Sequence, residues 1–194
     1  MSSLNSNLAA RFNRIPDKIL DENFLGGRGL GNEISFYVFD YPPACELEMR
    51  AQLGVIGKSL QSRRPDLRVL TVNLFDLVAD YLRERKLWDK ALEMQRQKGN
   101  DTLKKALEAP LKADKITDFF KRRCDVEAYD VLFLTGVGSV FPLLRSHSIL
   151  NNLHAVVGDK PLVLFFPGEY DGQKLRLFSQ FLGENYYRAF RLVP

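Results

Sequence analysis

An apolar segment that runs directly into a glycine-containing turn is the feature that most constrains the fold of this chain. Residues 131–135 read Val-Leu-Phe-Leu-Thr, and residues 136–139 read Gly-Val-Gly-Ser. A buried strand, a glycine-rich turn and an amphipathic helix, in this order, form the skeleton of a phosphate-binding loop. The Gly-Lys-Ser/Thr ending of a working P-loop is absent, because Val140, Phe141 and Pro142 come next. The segment therefore predicts the scaffold of a nucleotide-binding fold without its chemistry.

Four segments have the composition of strands, since they are rich in β-branched and aromatic residues and end at turn-forming residues. They are residues 34–39, 67–74, 131–135 and 161–166, and Pro167 with Gly168 is expected to close the last one. Residues 187–193 alternate between apolar and polar side chains and predict a fifth strand at the sheet edge. The third and fourth segments are almost continuously apolar, which is typical of strands covered on both faces.

Helical patterns lie between the strands, at residues 4–25, 44–62, 75–86 and 139–157. Pro16 predicts a break or a restart of the first helix, and Ser139 is expected to begin the last. Strands that alternate with helices predict an α/β fold in three layers. Its centre is a mostly parallel sheet of four to five strands flanked by helices, a P-loop-like or Rossmann-like core without Walker motifs.

The connection between the second and third strands is too long for one crossover helix. It holds 56 residues from Phe75 to Asp130, where a single crossover helix needs about 15–25. The surplus predicts two or three further helices, with breaks near Gly99 and Pro110. We therefore expect a single α/β domain over residues 1–194, with a helical insertion at about residues 88–127.

The basic residues of the chain are concentrated in this helical segment. Between Arg83 and Asp125 there are 13 Lys and Arg against 8 Asp and Glu, while the whole chain has a net charge of +4. Lys121, Arg122 and Arg123 are the candidates for a nucleic-acid contact. Alternating charges at helical spacing are more typical of a solvated helix face. The sequence leaves both interpretations open.

Several classes of protein are disfavoured by what the chain contains. Cys45 and Cys124 show no CxxC spacing and predict reduced thiols, and His147 and His154 are seven residues apart, which does not suit a metal pair. No apolar run reaches the ~20 residues of a membrane span, and the first residues do not resemble a secretory leader. We expect a cytoplasmic protein with no metal, no cofactor and no membrane contact.

Polar and glycine residues gather where the predicted parallel strands end, and this edge is where α/β sheets bind ligands. They are Asp40, Asn73, Asp76, Thr135, Gly136, Gly138, Ser139, Gly168, Glu169 and Asp171. Within this set, Thr135, Gly136, Gly138 and Ser139 form a candidate anion site, because backbone N–H groups there could face an anion. Turns also require such residues, and Ser139 is equally suited to be a helix N-cap.

No catalytic constellation emerges from the sequence. Ser139, His147 and Asp40 supply the residue types of a hydrolase triad, but no nucleophile elbow accompanies them. We therefore assign no catalytic residues and expect a protein that is not an enzyme.

A series of short motifs runs in order from about residue 12 to residue 178. The most specific is the pairing of GLGNEI at residues 29–34 with FYVFDYPP at residues 36–43. The others are FNRI at 12–15, VNLFDL at 72–77, FLTGVG at 133–138 and LFFPGEY at 164–170. By this order of motifs the chain resembles the BrxB family.

The resemblance implies a small component of BREX, a bacterial and archaeal system that restricts bacteriophage. In that system a methyltransferase marks host DNA, and other members include a large ATPase and PglZ, an alkaline-phosphatase-like protein. The family has no established catalytic residues to carry over. The resemblance thus implies a non-catalytic interaction subunit that docks onto PglZ, with other BREX components as further partners. The alternatives are a nucleic-acid contact through the basic helical segment and a divergent nucleotide-binding site at the turn.

Overall fold

The computed structural model describes residues 3–26, 35–144, 146–183 and 189–194. The helices in this part of the chain are α1 (Ser3–Ile19), α2 (Glu22–Leu25), α3 (Glu46–Arg63), α4 (Leu74–Glu84), α5 (Trp88–Glu108), α6 (Ala113–Arg123), α7 (Val137–Val140) and α8 (Ser146–Val157). The strands are β1 (Phe36–Tyr41), β2 (Val69–Asn73), β3 (Val131–Thr135), β4 (Leu162–Tyr170), β5 (Leu175–Leu177), β6 (Phe181–Leu182) and β7 (Phe190–Arg191).

The chain divides into two compact units. The first comprises Met1–Thr71, Glu127–Thr135 and Asp159–Pro194, and the second comprises Val72–Val126 and Gly136–Gly158. Helices α1 to α3 and most of the strands belong to the first unit, whereas α4 to α8 belong to the second. The expectation of one domain with an insertion stays a prediction.

The strands form one mostly parallel sheet with the order β2-β3-β4-β1-β7. β4 pairs in parallel with both β1 and β3, and β7 pairs in parallel with β1. This sheet, flanked by helices, confirms the predicted α/β class. β7 confirms an edge strand within the predicted range 187–193, of which residues 187 and 188 lie outside the described part of the chain. β5 and β6 were not predicted; they add an antiparallel extension to β4.

The core of the first unit lies where α1 and α3 cover alternate residues of the strands. Phe165 of β4 contacts both Phe39 of β1 and Phe133 of β3 there, with ring centroids 5.9 Å apart for Phe39–Phe165 and 5.2 Å for Phe133–Phe165. The intervening residues, such as Val38 and Leu164, are buried as well. Since both faces are covered, the strands have the continuous apolar sequence that the chain shows.

Helix α1 continues through Pro16, so the predicted break there is wrong. Proline has no N–H group to donate, and inside a helix it costs about 3 kcal/mol. The apolar stripe of α1 is fully buried and consists of Leu8, Phe12, Ile15 and Ile19. Each buried side chain of this size contributes about 1.5–3 kcal/mol. The burial therefore outweighs the cost of the proline.

Strand β4 also continues past the point where Pro167 and Gly168 were expected to end it. The Pro167 carbonyl accepts a hydrogen bond from the Phe178 N–H at 2.9 Å, and Gly168 pairs with Leu177 of β5. Gly168 has a φ of +158°, and a Cβ on it would lie 2.1 Å from the Arg176 carbonyl oxygen. The dipeptide that resembles a turn thus lets β5 approach β4 closely.

The helix expected over residues 139–157 is instead two helices, α7 and α8. Phe141 lies between them in an extended conformation, with φ −69° and ψ 136°. A residue before proline disfavours the helical region because the proline ring collides with it, and Pro142 follows Phe141.

The predicted helical insertion contains α5 and α6. Gly99 interrupts α5 with a non-helical backbone, at φ 77° and ψ 177°, and Pro110 lies between the two helices. Both predicted breaks are therefore confirmed.

Arg68 and Asp130 tie the start of β2 to the start of β3 within the first unit. The Asp130 carboxylate accepts the Arg68 backbone N–H at 2.8 Å and the guanidinium Nη2 at 3.1 Å. These hydrogen bonds, that of the side chain foremost, lower the pKa of Asp130. Because the charged form is favoured in the folded state, the pair stabilises the fold above the unfolded pKa of about 4 and loses that contribution as pH falls through the lower folded pKa.

We expect Asp130→Asn to lower the free energy of unfolding at neutral pH by only about 0.5–1 kcal/mol, because both side chains are substantially exposed and water screens the pair. Urea unfolding of both proteins at pH 7 and near pH 3 measures this. The difference should shrink in acid, where the aspartate is protonated. An equal difference at both pH values would contradict the assignment.

Candidate functional site

Asp40 lies near the end of β1 and is buried, and its carboxylate is bound from several sides. Arg11 of α1 donates from Nη2 to Oδ1 at 2.7 Å, and the Tyr170 backbone N–H donates to Oδ2 at 3.0 Å. The Arg191 guanidinium lies 3.7 Å from Oδ2. A buried carboxylate is tolerated only when it is paired and hydrogen-bonded. Asp40 meets both conditions through residues of its own chain.

The same groups fasten the last described residues, 189–194, to α1 and β4 of the same unit. Arg11 donates to the Val193 carbonyl from Nε at 3.2 Å and from Nη2 at 3.1 Å. The Tyr170 hydroxyl donates to the Ala189 carbonyl at 2.7 Å, and Arg191 donates to the Tyr170 carbonyl. The Arg11 guanidinium also lies 4.6 Å from the centre of the Phe39 ring. We call this set of residues the Asp40 cluster; it joins α1, β1, β4 and β7.

Tyr41 follows Asp40 and is bound in a second, smaller arrangement. Its hydroxyl donates to Glu46 Oε2 at 2.5 Å, and Arg50 Nε donates to Glu46 Oε1 at 2.9 Å. Burial, followed by the hydrogen bond to Glu46, raises the pKa of Tyr41 far above its usual value. Tyr41 therefore stays protonated and acts as a donor that fixes the start of α3.

The acidic residues beyond Gly168 are also engaged locally. Asp171 accepts the backbone N–H groups of Lys174 at 2.7 Å and Gln173 at 2.8 Å, and these bonds lower its pKa. Such a bond pattern is that of a turn closed by an aspartate side chain. Asp171 thus shapes the connection from β4 to β5.

Of the residues of the candidate anion site, Thr135 is a buried residue of the first unit, and Gly136, Gly138 and Ser139 belong to the second. Gly136 has a φ of +73°, and a Cβ on it would lie 2.1 Å from Asn73 Oδ1. That same oxygen accepts the Phe75 N–H at 2.9 Å and caps α4. Asn73 therefore explains why residue 136 is glycine.

Ser139 does not begin a helix, in contrast to the prediction. Gly136 occupies the N-cap position of α7, and Ser139 is an exposed residue inside it whose N–H donates to the Gly136 carbonyl at 3.1 Å. α7 has only four residues, so few aligned peptide dipoles would add to the attraction for an anion. The anion site stays a prediction.

Lys121, Arg122 and Arg123, the candidate nucleic-acid residues, form the last turn of α6 and are exposed. Arg122 lies 3.2 Å from Glu84, and Arg123 lies 3.5 Å from Asp80, both on α4. Cations at a helix C-terminus also interact favourably with the helix dipole. These contacts give two of the three residues a structural role, and the nucleic-acid contact stays a prediction.

No group of three His, Cys, Asp or Glu side chains in the described ranges is arranged to hold a metal ion. His147 and His154 are on α8, but their side chains lie outside what the structure describes. No helix among the described residues is long and apolar enough to span a bilayer.

Comparison with known proteins places this chain in a family. The family model described as "BREX protein BrxB" matches residues 70–192. A BREX protein BrxB of Escherichia coli O9:H4 (strain HS) is 40% identical over 187 residues, which cover 96% of this chain and 92% of the relative. A BREX protein BrxB of Bacillus cereus (strain H3081.97) is 41% identical over 187 residues, covering 94% and 96%. The chain belongs to the BrxB family.

Membership in the BrxB family confirms the resemblance seen in the sequence motifs, and it makes the chain a BREX component. No solved structure matches the chain.

The sequence flagged Asp40 as one of many polar residues at strand ends, but it did not reveal the residues that bind it. Arg11 and Arg191 are 29 and 151 positions away from Asp40 in the chain, and no local pattern connects them. The only available signal was an aspartate within an otherwise apolar and aromatic strand. A charge in such a place requires a partner.

Proposed function

We propose that this protein is a non-catalytic assembly subunit of the BREX anti-phage system, and that it docks onto the alkaline-phosphatase-like PglZ component in the cytoplasm. The observation that carries the proposal is that polar residues near the strand ends form structural contacts within the chain. Asp40 holds α1 and β7, Asn73 caps α4, and Asp171 closes a turn. These three side chains are thus bound to their own chain.

Exposed apolar residues on the short strands support a role in docking. Phe181 and Leu182 of β6 are 48% and 52% exposed, and Phe190 of β7 is 40% exposed. We call Phe181 and Leu182 the β6 patch. Apolar side chains on an edge strand favour association unless a partner covers them. Apolar side chains contribute to binding in proportion to the apolar area that a partner buries, and aromatic residues such as Phe are enriched at interfaces.

PglZ is the partner implied by the family resemblance, and the β6 patch offers a direct test. We expect Phe181→Ser combined with Leu182→Ser to reduce the amount of PglZ recovered with the tagged chain by about ten-fold or more. The substitutions remove two apolar side chains that PglZ would bury in the complex. Tandem affinity purification of the co-expressed pair, quantified by gel densitometry, measures the loss.

Phe75→Ser is the matched control. Phe75 is 43% exposed, close to the value for Phe181, but it belongs to the second unit. The control should recover PglZ at the wild-type level, and circular dichroism should show that both variants are folded. Recovery of PglZ by the β6 variant at the wild-type level would exclude the patch, and failure of the wild-type pair to co-purify would count against the docking proposal itself.

A further inference from the structure

Helix α3 carries apolar residues on two opposite faces. Met49, Ile56 and Leu60 point into the core of the first unit and are buried. Leu47 and Val55 lie on the other side and are 78% and 58% exposed. A surface helix normally has a single apolar stripe, which faces its own core. The second apolar side of α3 is unexplained by the described residues of the chain.

The exposed side of α3 also carries two very small residues, Ala51 and Gly54, near the middle of the helix. Leu47, Ala51, Gly54 and Lys58 are spaced four, three and four residues apart, so they follow one line along the helix, and all four are exposed. A Cβ on Gly54 would meet nothing within 4 Å. Glycine within a helix costs about 1 kcal/mol relative to alanine. Nothing in the described residues of this chain requires that cost, but a second helix backbone that packs closely against Ala51 and Gly54 would.

The charges on this side of α3 indicate what covers it. Glu48 lies near the start of the helix and Lys58 near its end, and neither forms an ion pair within the described part of the chain. The neighbouring charges are already paired: Arg50 with Glu46 at 2.9 Å, and Arg63 with Asp17 at 2.6 Å. A second α3 lying antiparallel would bring its Lys58 to Glu48 of the first copy, and its Glu48 to Lys58. The surface is therefore complementary to itself.

We propose that the protein forms a symmetric homodimer in which the exposed sides of two α3 helices pack antiparallel. Ala51 of each copy faces Gly54 of the other, which lets the backbones approach. Two equivalent Glu48–Lys58 ion pairs flank this centre, as two-fold symmetry requires. Leu47 and Val55 are covered by the second copy. This dimer is independent of the β6 patch assigned to PglZ.

Sedimentation velocity over a dilution series in the micromolar range tests the dimer. The wild-type chain should show a reversible monomer–dimer equilibrium. Gly54→Leu should weaken it by about ten-fold or more, because the added side chain separates the two backbones. The same substitution should raise the melting temperature of the monomer, since leucine is a better helix former than glycine and has open space here. Loss of dimer is thereby distinguished from loss of fold.

Charge-reversal variants test whether a second copy of the chain covers the exposed side of α3. Glu48→Lys and Lys58→Glu should each weaken self-association, whereas a mixture of the two variants should form heterodimers, because every contact then joins opposite charges. The double variant should dimerise by itself for the same reason. A wild-type chain that stays monomeric throughout, or variants that are not rescued by mixing, would overturn the proposal. Retention of PglZ by Gly54→Leu supports a separate surface for the dimer, and its loss would assign α3 to PglZ instead.

Discussion

Replacing Asp40 by alanine should lower the free energy of unfolding by about 3–5 kcal/mol, because it leaves the largely buried charge of Arg11 without its carboxylate partner. Arg11 would lose its carboxylate at 2.7 Å, and the buried Tyr170 N–H would lose its acceptor at 3.0 Å. A loss of this size is a large fraction of the 5–15 kcal/mol that stabilises a typical domain. Urea denaturation followed by circular dichroism measures it.

Asp17→Ala provides a matched comparison. Asp17 and Arg63 form an ion pair at 2.6 Å, which differs from the Arg11–Asp40 pair mainly in its burial. The side chains of Arg11 and Asp40 are 15% and 10% exposed, whereas those of Arg63 and Asp17 are 46% and 68% exposed. We expect Asp17→Ala to cost less than about 1 kcal/mol. Equal losses in the two variants would show that the Asp40 cluster does not behave as a buried network.

Replacing Gly168 by alanine should lower the free energy of unfolding by about 3 kcal/mol or more, through steric collision combined with backbone strain. The new Cβ would lie 2.1 Å from the Arg176 carbonyl oxygen, and this oxygen belongs to the backbone of β5. The strand cannot move aside without breaking its pairing with β4. Thermal and urea unfolding measure the loss of stability.

Gly172→Ala separates the two causes of this loss. Gly172 also has a positive φ, at +98°, but a Cβ there would meet nothing within 4 Å. We expect only the strain cost of about 1–2 kcal/mol for this control. If both substitutions cost the same, the close approach of β5 to β4 is not as the structure shows it.

The sequence-based predictions were most accurate for a fully buried strand and for helix breaks that are set by local backbone restrictions. β3 was predicted with the same bounds that the structure gives, because an unbroken apolar run between polar residues has few other uses. The breaks at Gly99 and Pro110 followed from backbone restrictions that act locally. Local rules were sufficient wherever local forces decide the conformation.

Local rules failed where tertiary contacts outweigh them. Pro16 remains in α1 because the stripe that contains Phe12 and Ile15 is buried, and β4 continues through Pro167 because β5 pairs with it. The reverse error concerns Pro142, whose effect on the preceding residue could have been used to divide the helix expected over residues 139–157.

The candidate site was predictable only in outline. The carboxyl ends of the strands could be located from the sequence, and Asp40 was among the residues placed there. Its engagement by Arg11 and Arg191 depends on contacts between distant parts of the chain. The exposure of Leu47 was equally hidden, because a helix with apolar residues on both sides resembles a buried helix until its surroundings are known.

A titration of the two purified proteins tests the proposed docking of this BREX component onto PglZ. Isothermal titration calorimetry of the wild-type chain into PglZ should give saturable binding at a fixed ratio, with a negative heat-capacity change from burial of apolar surface. The Phe181→Ser/Leu182→Ser variant should bind at least about ten-fold more weakly, while Phe75→Ser should bind as the wild type does. The absence of saturable binding between the folded wild-type proteins would contradict docking onto PglZ.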